Sequence, residues 1–287
     1  EWMSKSRQKE HAAKVGLSVA KGVVIEVVDG KYVLPSEIAY PCFVKPISSF
    51  TGGKTGLGRC DTERQLRDSI GLLINRSSNV SILVEEYKGI DQEYALMGVS
   101  DGETVHIPGI LKISSIASGI HYGVAKRGKI VPISGFERFV ELCEGLVLET
   151  HFEGIFDIDF YKSGDKLYFC EMNFRYGGSG YAYTKSGVNM PALAVGILAG
   201  EPADSSLTVE KEAVYVNERM CLDDWYNRFM STGDFIGLMR NRDISFIYDG
   251  EDPKPGRLFR RMVWKLGIRR AVKHVYCSLF KTRRHQY

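Results

Sequence analysis

Residues 156–175, FDIDFYKSGDKLYFCEMNFR, hold the densest group of chemically competent side chains in this 287-residue sequence. The run 156–160 alternates apolar and acidic residues, the two-residue period of a half-buried strand. Ser163, Gly164 and Asp165 supply turn chemistry. The run 166–173 then alternates again, with Leu167, Phe169 and Met172 among polar neighbours. A hairpin of this kind gathers Asp159, Glu171 and Asn173 at one end of adjacent strands, and Glu171 and Asn173, two apart, share a face. Two carboxylates and an amide oxygen are hard ligands suited to Mg²⁺ that keeps waters and bridges nucleotide phosphates. Arg175 lies two further on, where a guanidinium holds a phosphoryl oxygen or a carboxylate. The competing reading is a surface hairpin with solvated charges. It suits any one of these residues better than it suits the group.

The elements that must position this group lie upstream. Residues 5–15 form a helix with Ser4 as N-cap and Gly16 as its stop. Residues 23–28 form a β-branched strand closed by an Asp29, Gly30 turn. Residues 43–46, FVKP, read as a short buried strand in which Lys45 is costly unless it meets an anion. Residues 48–58, SSFTGGKTGLG, are a glycine-rich loop. Gly52 and Gly53 let backbone N–H groups curl round phosphate oxygens, and Lys54 adds charge; the spacing is not that of a Walker A loop. A helix over 61–73 with Asp61 as N-cap follows, then strands at 80–87, 94–99 and 104–113. Residues 114–122 read as a polar connection, 136–148 as an amphipathic helix, and 191–200 as a helix with Pro191 in its first turn.

Acid–Phe, a short hairpin and Glu-Met-Asn-Phe-Arg, preceded by Val-Lys-Pro and a glycine-rich loop, resemble the ATP-grasp superfamily. That superfamily includes D-alanine–D-alanine ligase, biotin carboxylase, carbamoyl-phosphate synthase and D-aspartate ligase. The resemblance runs over residues 1–200. It implies an α+β fold in which two subdomains with antiparallel sheets grip ATP, about 16–90 and 91–205 within a domain 1–205. A helical extension over 206–287 includes helices at 221–228 and 231–239. The resemblance also implies an acylphosphate formed from a carboxylate and ATP, then amine attack to give an amide. Its cofactors are ATP and two Mg²⁺, with Mn²⁺ as a substitute.

The same resemblance assigns roles. Asp159, Glu171 and Asn173 hold metal; Lys45, Lys5, the loop at Gly52, Gly53 and Lys54, and Lys112 hold phosphates. Lys45 and Arg175 act on the transferring group. Glu85, Glu86 and Tyr87 are candidates for the adenine hinge, and Glu93, with Asp91 in reserve, for the ribose hydroxyls. The run ending Gly-Val-Asn-Met-Pro is similar to D-aspartate-ligase-like members, so Lys185, Ser186 and Asn189, with Arg175, would hold a carboxylate or peptide substrate. His121 either lines the substrate side or is a solvated loop histidine. Two departures matter. Ser4 stands where the family usually has an acid, and Asp157 stands where D-alanine ligases carry an arginine, so D-alanine–D-alanine ligation is not expected. Family chains carry a nucleotide-fold domain before the position of Lys5; its counterpart is expected in a longer chain or a separate subunit. The alternative function is a nucleotide-binding regulatory subunit, or a degenerate enzyme, without ligase activity.

Composition agrees with a globular protein: 44% hydrophobic and 25% charged, with no apolar run of transmembrane length. Six cysteines (Cys42, Cys60, Cys143, Cys170, Cys221 and Cys277) show no CxxC pattern and read as reduced thiols, which implies a cytoplasmic setting. The net charge of +3 conceals an asymmetry, because residues 254–287 hold eleven Lys or Arg and no acid. Leu258, Phe259, Met262, Val263 and Leu266 recur at helical spacing against Arg257, Arg260, Arg261 and Lys265, and the pattern resumes after Gly267. Such a tail suits the anionic face of a membrane; the alternative is packing on the body of the protein. No nucleic-acid partner is expected, since no readout motif accompanies the charge. The remaining expected partners are the small-molecule carboxylate and amine.

Overall fold

A computed structural model of the chain describes residues 2–47, 57–118, 124–201 and 207–281, with 273–281 described by backbone alone. Gly52, Gly53, Lys54 and His121 lie outside the described residues. The chain divides into two compact units: Glu1–Lys112 with Val131–Lys211, and Ile113–Ile130 with Glu212–Tyr287.

The first unit opens with α1 (Lys5–Lys14), preceded by extended Ser4, whose hydroxyl meets that of Ser6 at 2.9 Å and makes no capping bond, and ended where Gly16 adopts φ +98°. Next come β1 (Ser18–Val19), β2 (Gly22–Val27), β3 (Cys42–Pro46), β4 (Gly58–Cys60), α2 (Glu63–Ile74) and β5 (Val80–Glu86). Strands β2, β5, β3 and β4, in that order, form an antiparallel sheet. One face carries Ile25, Val44, Ile82 and Val84 against Leu66, Ile70 and Leu73 of α2. The period of two turns Lys45 and Glu85 to the other face. The cap of α2 is Thr62, not Asp61: the Thr62 hydroxyl accepts the Gln65 N–H at 3.3 Å, and the Asp61 N–H is held by the Gln65 side chain. The two polar residues compete for one role, and the hydroxyl's position beside N3 decides it.

The larger sheet of this unit uses β6 (Gln92–Asp101), β7 (Val105–His106), β8 (Ile110–Ile116), β10 (Glu153–Ser163) and β11 (Lys166–Asn173), after β9 (Ala125–Val131) and α3 (Glu137–Leu148) in the chain. The order is β1, β11, β10, β6, β8, with β7 on β6; β1 is parallel to β11. One face packs α1 and α3, through Ala12, Phe139, Cys143 and Leu146, onto Leu96, Phe156, Ile158, Phe160, Phe169 and Met172. The expected strand over 104–113 is broken by Ile107, Pro108 and Gly109, because proline cannot donate to a ladder. It resumes at Ile110 and runs to Ile116, so the start of the expected polar connection, from Ser114, is strand. Glu93 lies inside β6 and does not precede it. The unit continues with α4 (Gly180–Lys185) and α5 (Met190–Leu198).

The second unit pairs β12 (Ala213–Val216) antiparallel with β9 and parallel with β13 (Ile244–Ser245). Three helices, α6 (Glu218–Tyr226), α7 (Thr232–Arg240) and α8 (Pro253–Lys281), share a core of Cys221, Leu222, Trp225, Phe235 and Phe259. Ser231 caps α7 through its hydroxyl. A buried ion pair, Lys126 to Asp224 at 2.6 Å, joins β9 to α6. The two stretches of amphipathic pattern on either side of Gly267 belong to one helix, since α8 runs through it.

Candidate functional site

The site is built on the face of the larger sheet opposite α1 and α3. On β10, Phe156, Ile158 and Phe160 point into the core, so Asp157 and Asp159 point away from it. Asp157 pairs with Asn173 and Asp159 with Glu171 across the hairpin, after which the register shifts by one residue on β11. That bulge explains why Phe169 and Met172, three apart, both face the core. The residues between them, Cys170 and Glu171, are thereby both freed from the core, and Asn173 follows on the same side.

The result is a crowd of like charges. Burial, with the neighbouring Glu171 and against the pull of Arg175, brings Asp157 up to about 7. Asp159 is driven well above the usual carboxylate range by burial, with Asp157 and Glu171 adding to it. Such a face is relieved by cations. Lys5 supplies one, 2.9 Å from Glu171. Gly177 closes over the group: a Cβ there would lie 3.0 Å from the Asp157 carboxyl carbon and 2.8 Å from Met97 Cε. No group of three or more His, Cys, Asp or Glu among the described residues makes a metal cage by itself. Two carboxylates and an amide match a divalent ion that takes its other ligands from water and phosphate, as Mg²⁺ does, so the donor set fits.

A second, basic group faces these acids. Lys45 on β3 lies 2.8 Å from one oxygen of Glu85 on β5, and Lys9 of α1 holds the other oxygen. Burial works against the Glu85 anion, yet the two ammonium groups outweigh it and keep its pKa below the ordinary value. Lys9 is lowered by burial and by the like charge of Lys45. Lys45 is raised, because Glu85, with help from Cys170 and Glu171, outweighs its burial. Two cations share one carboxylate, which leaves a net positive charge with little water around it. Beyond the nearby Glu171, such a cluster can take a further anion. Cys170, pushed up to about 12 by burial, senses Lys45, Lys9, Asp159 and Glu85, so both charge groups surround one thiol.

Helix α1 ties the two groups together. Lys5, Gln8, Lys9 and Ala12 occupy i, i+3, i+4 and i+7, one helix face. The Gln8 amide donates to the Met172 carbonyl at 2.8 Å and accepts the Met172 N–H at 2.9 Å. It thus completes the edge of β11 beyond the two-residue partner β1. Gln8, Lys9 and Cys170 were not legible as site residues, and Asp157 was read only as a departure from the D-alanine ligases. The signals were present: an i+4 lysine after Lys5, and an apolar spacing on β11 that changes from two to three.

The other expected residues are placed as follows. Glu86 accepts the Lys21 N–H at 3.1 Å and pairs with Lys88, and Tyr87 lies under the Arg59 guanidinium. Glu85, a candidate for adenine, has both oxygens engaged by lysines. Glu93 is half-buried on β6, opposite Tyr161, and raised by that burial. Asp91 accepts the Gly164 N–H at 2.8 Å in the hairpin turn. Lys112 is exposed on β8, opposite Tyr94. Arg175 is exposed beside Tyr176. Lys185, Ser186 and Asn189 lie at the α4–α5 corner: Lys185 stands 5.4 Å from the Tyr181 ring, and Asn189 caps α5 by accepting the Ala192 N–H. The Ser186 hydroxyl is buried with no hydrogen-bond partner among the described residues.

The family model described as carbamoyl-phosphate synthase L chain, ATP binding domain, matches residues 4–204. The chain belongs to this ATP-grasp family. The large chain of carbamoyl phosphate synthase from Clostridium acetobutylicum is 26% identical over 280 residues, which covers 88% of this chain and 26% of that one. The Agathobacter rectalis large chain is 26% identical over 192 residues, 66% of this chain and 18% of that one. The ATP-grasp chain described here thus spans about a quarter or less of the length of these curated relatives. Among solved structures, an N5-carboxyaminoimidazole ribonucleotide synthetase in complex with ADP superposes with TM-score 0.61 at 14% identity, covering 79% of this chain and 60% of that one. Biotin carboxylase from Campylobacter jejuni gives 0.60 at 18% identity, covering 74% and 50%. L-amino acid ligase from Bacillus licheniformis gives 0.57 at 17% identity, covering 74% and 54%. These likenesses establish the α+β ATP-grasp fold with its two sheets.

Proposed function

We propose that this ATP-grasp chain is the nucleotide-binding and catalytic body of a carboxylate–amine ligase, forming an amide through an acylphosphate. The observation that carries the reading is the opposition of two charge groups, Asp157, Asp159 and Glu171 on one side and the Lys9–Glu85–Lys45 cluster on the other. A magnesium nucleotide brings both complements at once. Bound Mg²⁺ supplies charge neutralisation at the transferring phosphoryl oxygens. Asp159, Glu171 and Asn173 would hold two such ions, with Mn²⁺ as a substitute. Lys45 and Lys9 would exchange part of their hold on Glu85 for phosphate oxygens, and Lys5 would move from Glu171 to a phosphate. Glu86 and Tyr87 remain the hinge for adenine, and Glu93 the ribose contact. Arg175 would orient the acylphosphate beside the α4–α5 corner, where the Ser186 hydroxyl is a free hydrogen-bonding group.

The substrates proposed are an amino acid or a cell-envelope precursor as carboxylate and amine. Asp157 opposes D-alanine–D-alanine ligation, since an acid there repels the carboxylate that an arginine would hold. A further domain or subunit is proposed to complete the acceptor side. We also place the protein in the cytoplasm, at the inner face of the membrane, through residues 254–287. No helix among the described residues is long and apolar enough to cross a membrane, so the contact would be peripheral.

The test is phosphate release from Mg-ATP with a panel of amino acids and small carboxylates. Substrate-stimulated turnover supports the ligase. Nucleotide affinity with no stimulated turnover, across the panel and with the partner added, supports the regulatory reading instead.

A further inference from the structure

Helix α8 has two apolar sides. Phe259 is buried, and Met262, Val263 and Leu266 pack with it against the α6–α7 core. Leu258, Trp264, Ile268 and Val272 do not join them: they are 60%, 71%, 47% and 62% exposed. At about 100° per residue, Arg257, Arg261, Trp264, Lys265, Ile268 and Val272 fall within one arc, with Leu258 at its edge. Every charged residue in that arc is basic, and residues 254–272 hold seven Lys or Arg with no acid. A merely solvated helix face does not need a tryptophan and three aliphatic side chains set among its cations.

The same character continues beside the helix. A groove of about 510 Å³ is lined by Ile236, Arg240, Arg260 and Trp264 among others. Arg242 and Arg260 lie over the Tyr248 ring, at 5.3 and 5.9 Å. Ile236 is itself 43% exposed. Arg242 is also paired with buried Glu218 at 3.1 Å, so Arg240 and Arg260, both lining the groove, are the guanidinium groups that suit a phosphate headgroup, with the start of its acyl chains on the apolar floor.

We propose that the exposed face of α8, with this groove, is the surface by which the second unit docks on a bilayer rich in anionic lipid. Trp264, Ile268 and Leu258 enter the interface, and Arg257, Arg261 and Lys265 meet the headgroups. The proposal deepens the peripheral-membrane reading by naming the residues that make the contact, and it is independent of the ligase chemistry.

The experiment is sedimentation of the full chain with phosphatidylglycerol–phosphatidylcholine vesicles and with pure phosphatidylcholine vesicles, at low and at physiological salt. Two variants restricted to exposed side chains are compared: Arg261→Glu with Lys265→Glu, and Trp264→Ala with Ile268→Ser. Circular dichroism and nucleotide affinity check that each is folded. The unaltered chain is expected to sediment with anionic vesicles only, and less at high salt. Each variant should bind at least about tenfold more weakly. Trp264 fluorescence should shift to the blue on binding, a change lost in the Trp264 variant. No sedimentation of the unaltered chain at low salt overturns membrane association altogether. Sedimentation of the unaltered chain with both variants binding equally well overturns the α8 face and leaves the contact to residues beyond 272.

Discussion

Lys9 and Lys45 close on opposite oxygens of one buried carboxylate, Glu85, which joins α1 to the smaller sheet. The cluster is a fixed structural tie and a reserve of positive charge. Removing its centre separates the two roles. Glu85→Gln leaves two buried ammonium groups without their counter-ion and should lower stability by about 3–5 kcal/mol, read from urea midpoints. Added Mg-ATP should recover part of that loss, because phosphates replace the missing anion. Stability equal to the parent would mean the cluster is not the tie described.

The pH dependence of that loss has a definite sign. Glu85 titrates lower in the folded chain than its ordinary value, so its contribution is complete above about pH 4.3 and is lost as pH falls through the folded pKa. The gap in urea midpoint between parent and Glu85→Gln should be constant from neutral pH down to that region and narrow below it. A gap that instead widened toward pH 3 would reject the assignment.

Asp157 behaves oppositely. Burial raises its carboxyl to about 7, so stability is lost progressively as pH rises from about 4, the ordinary value, to neutrality. Asp157→Asn should therefore be close to the parent in stability at pH 4 and more stable than the parent at pH 8 without nucleotide. Differential scanning measurements at the two pH values test this; equal shifts at both would show that burial, with Glu171 beside it, does not hold the Asp157 carboxyl up.

Metal dependence centres on the hairpin. Glu171→Gln keeps the side-chain shape and removes one anionic ligand, so turnover should fall by about 10²–10³ while the fold survives. Substrate-stimulated phosphate release at the parental rate in a folded Glu171→Gln protein would remove Glu171 from the metal site.

Gln8 is the structural counterpart. Gln8→Leu leaves the Met172 N–H and carbonyl without partners at the strand edge. Each unmet buried group costs about 1–3 kcal/mol, and Met172 lies between Glu171 and Asn173. The variant should lose about 2–4 kcal/mol of stability and, at temperatures where it remains folded, bind Mg-ATP more weakly than the parent. Loss of stability with unchanged affinity would confine Gln8 to a packing role.

The ATP-grasp hairpin, with Asp159, Glu171, Asn173 and Arg175, was legible because strand alternation and turn residues are local properties. So were α1, the strand holding Lys45, and the basic run after residue 254. What local pattern could not supply was the partner of each charge. Lys9 and Glu85 are 76 residues apart, and only docking of α1 against the smaller sheet makes them a pair. The bulge on β11 arises from register between two strands, and it alone puts Cys170 and Glu171 on the same side. Likewise, the spacing on α8 grouped Leu258 with Phe259, whereas tertiary packing buried Phe259 and left Leu258 exposed. A sequence dictates which faces an element has. Which face is buried depends on what the rest of the chain lays against it, since desolvation and charge pairing exist only between surfaces in contact.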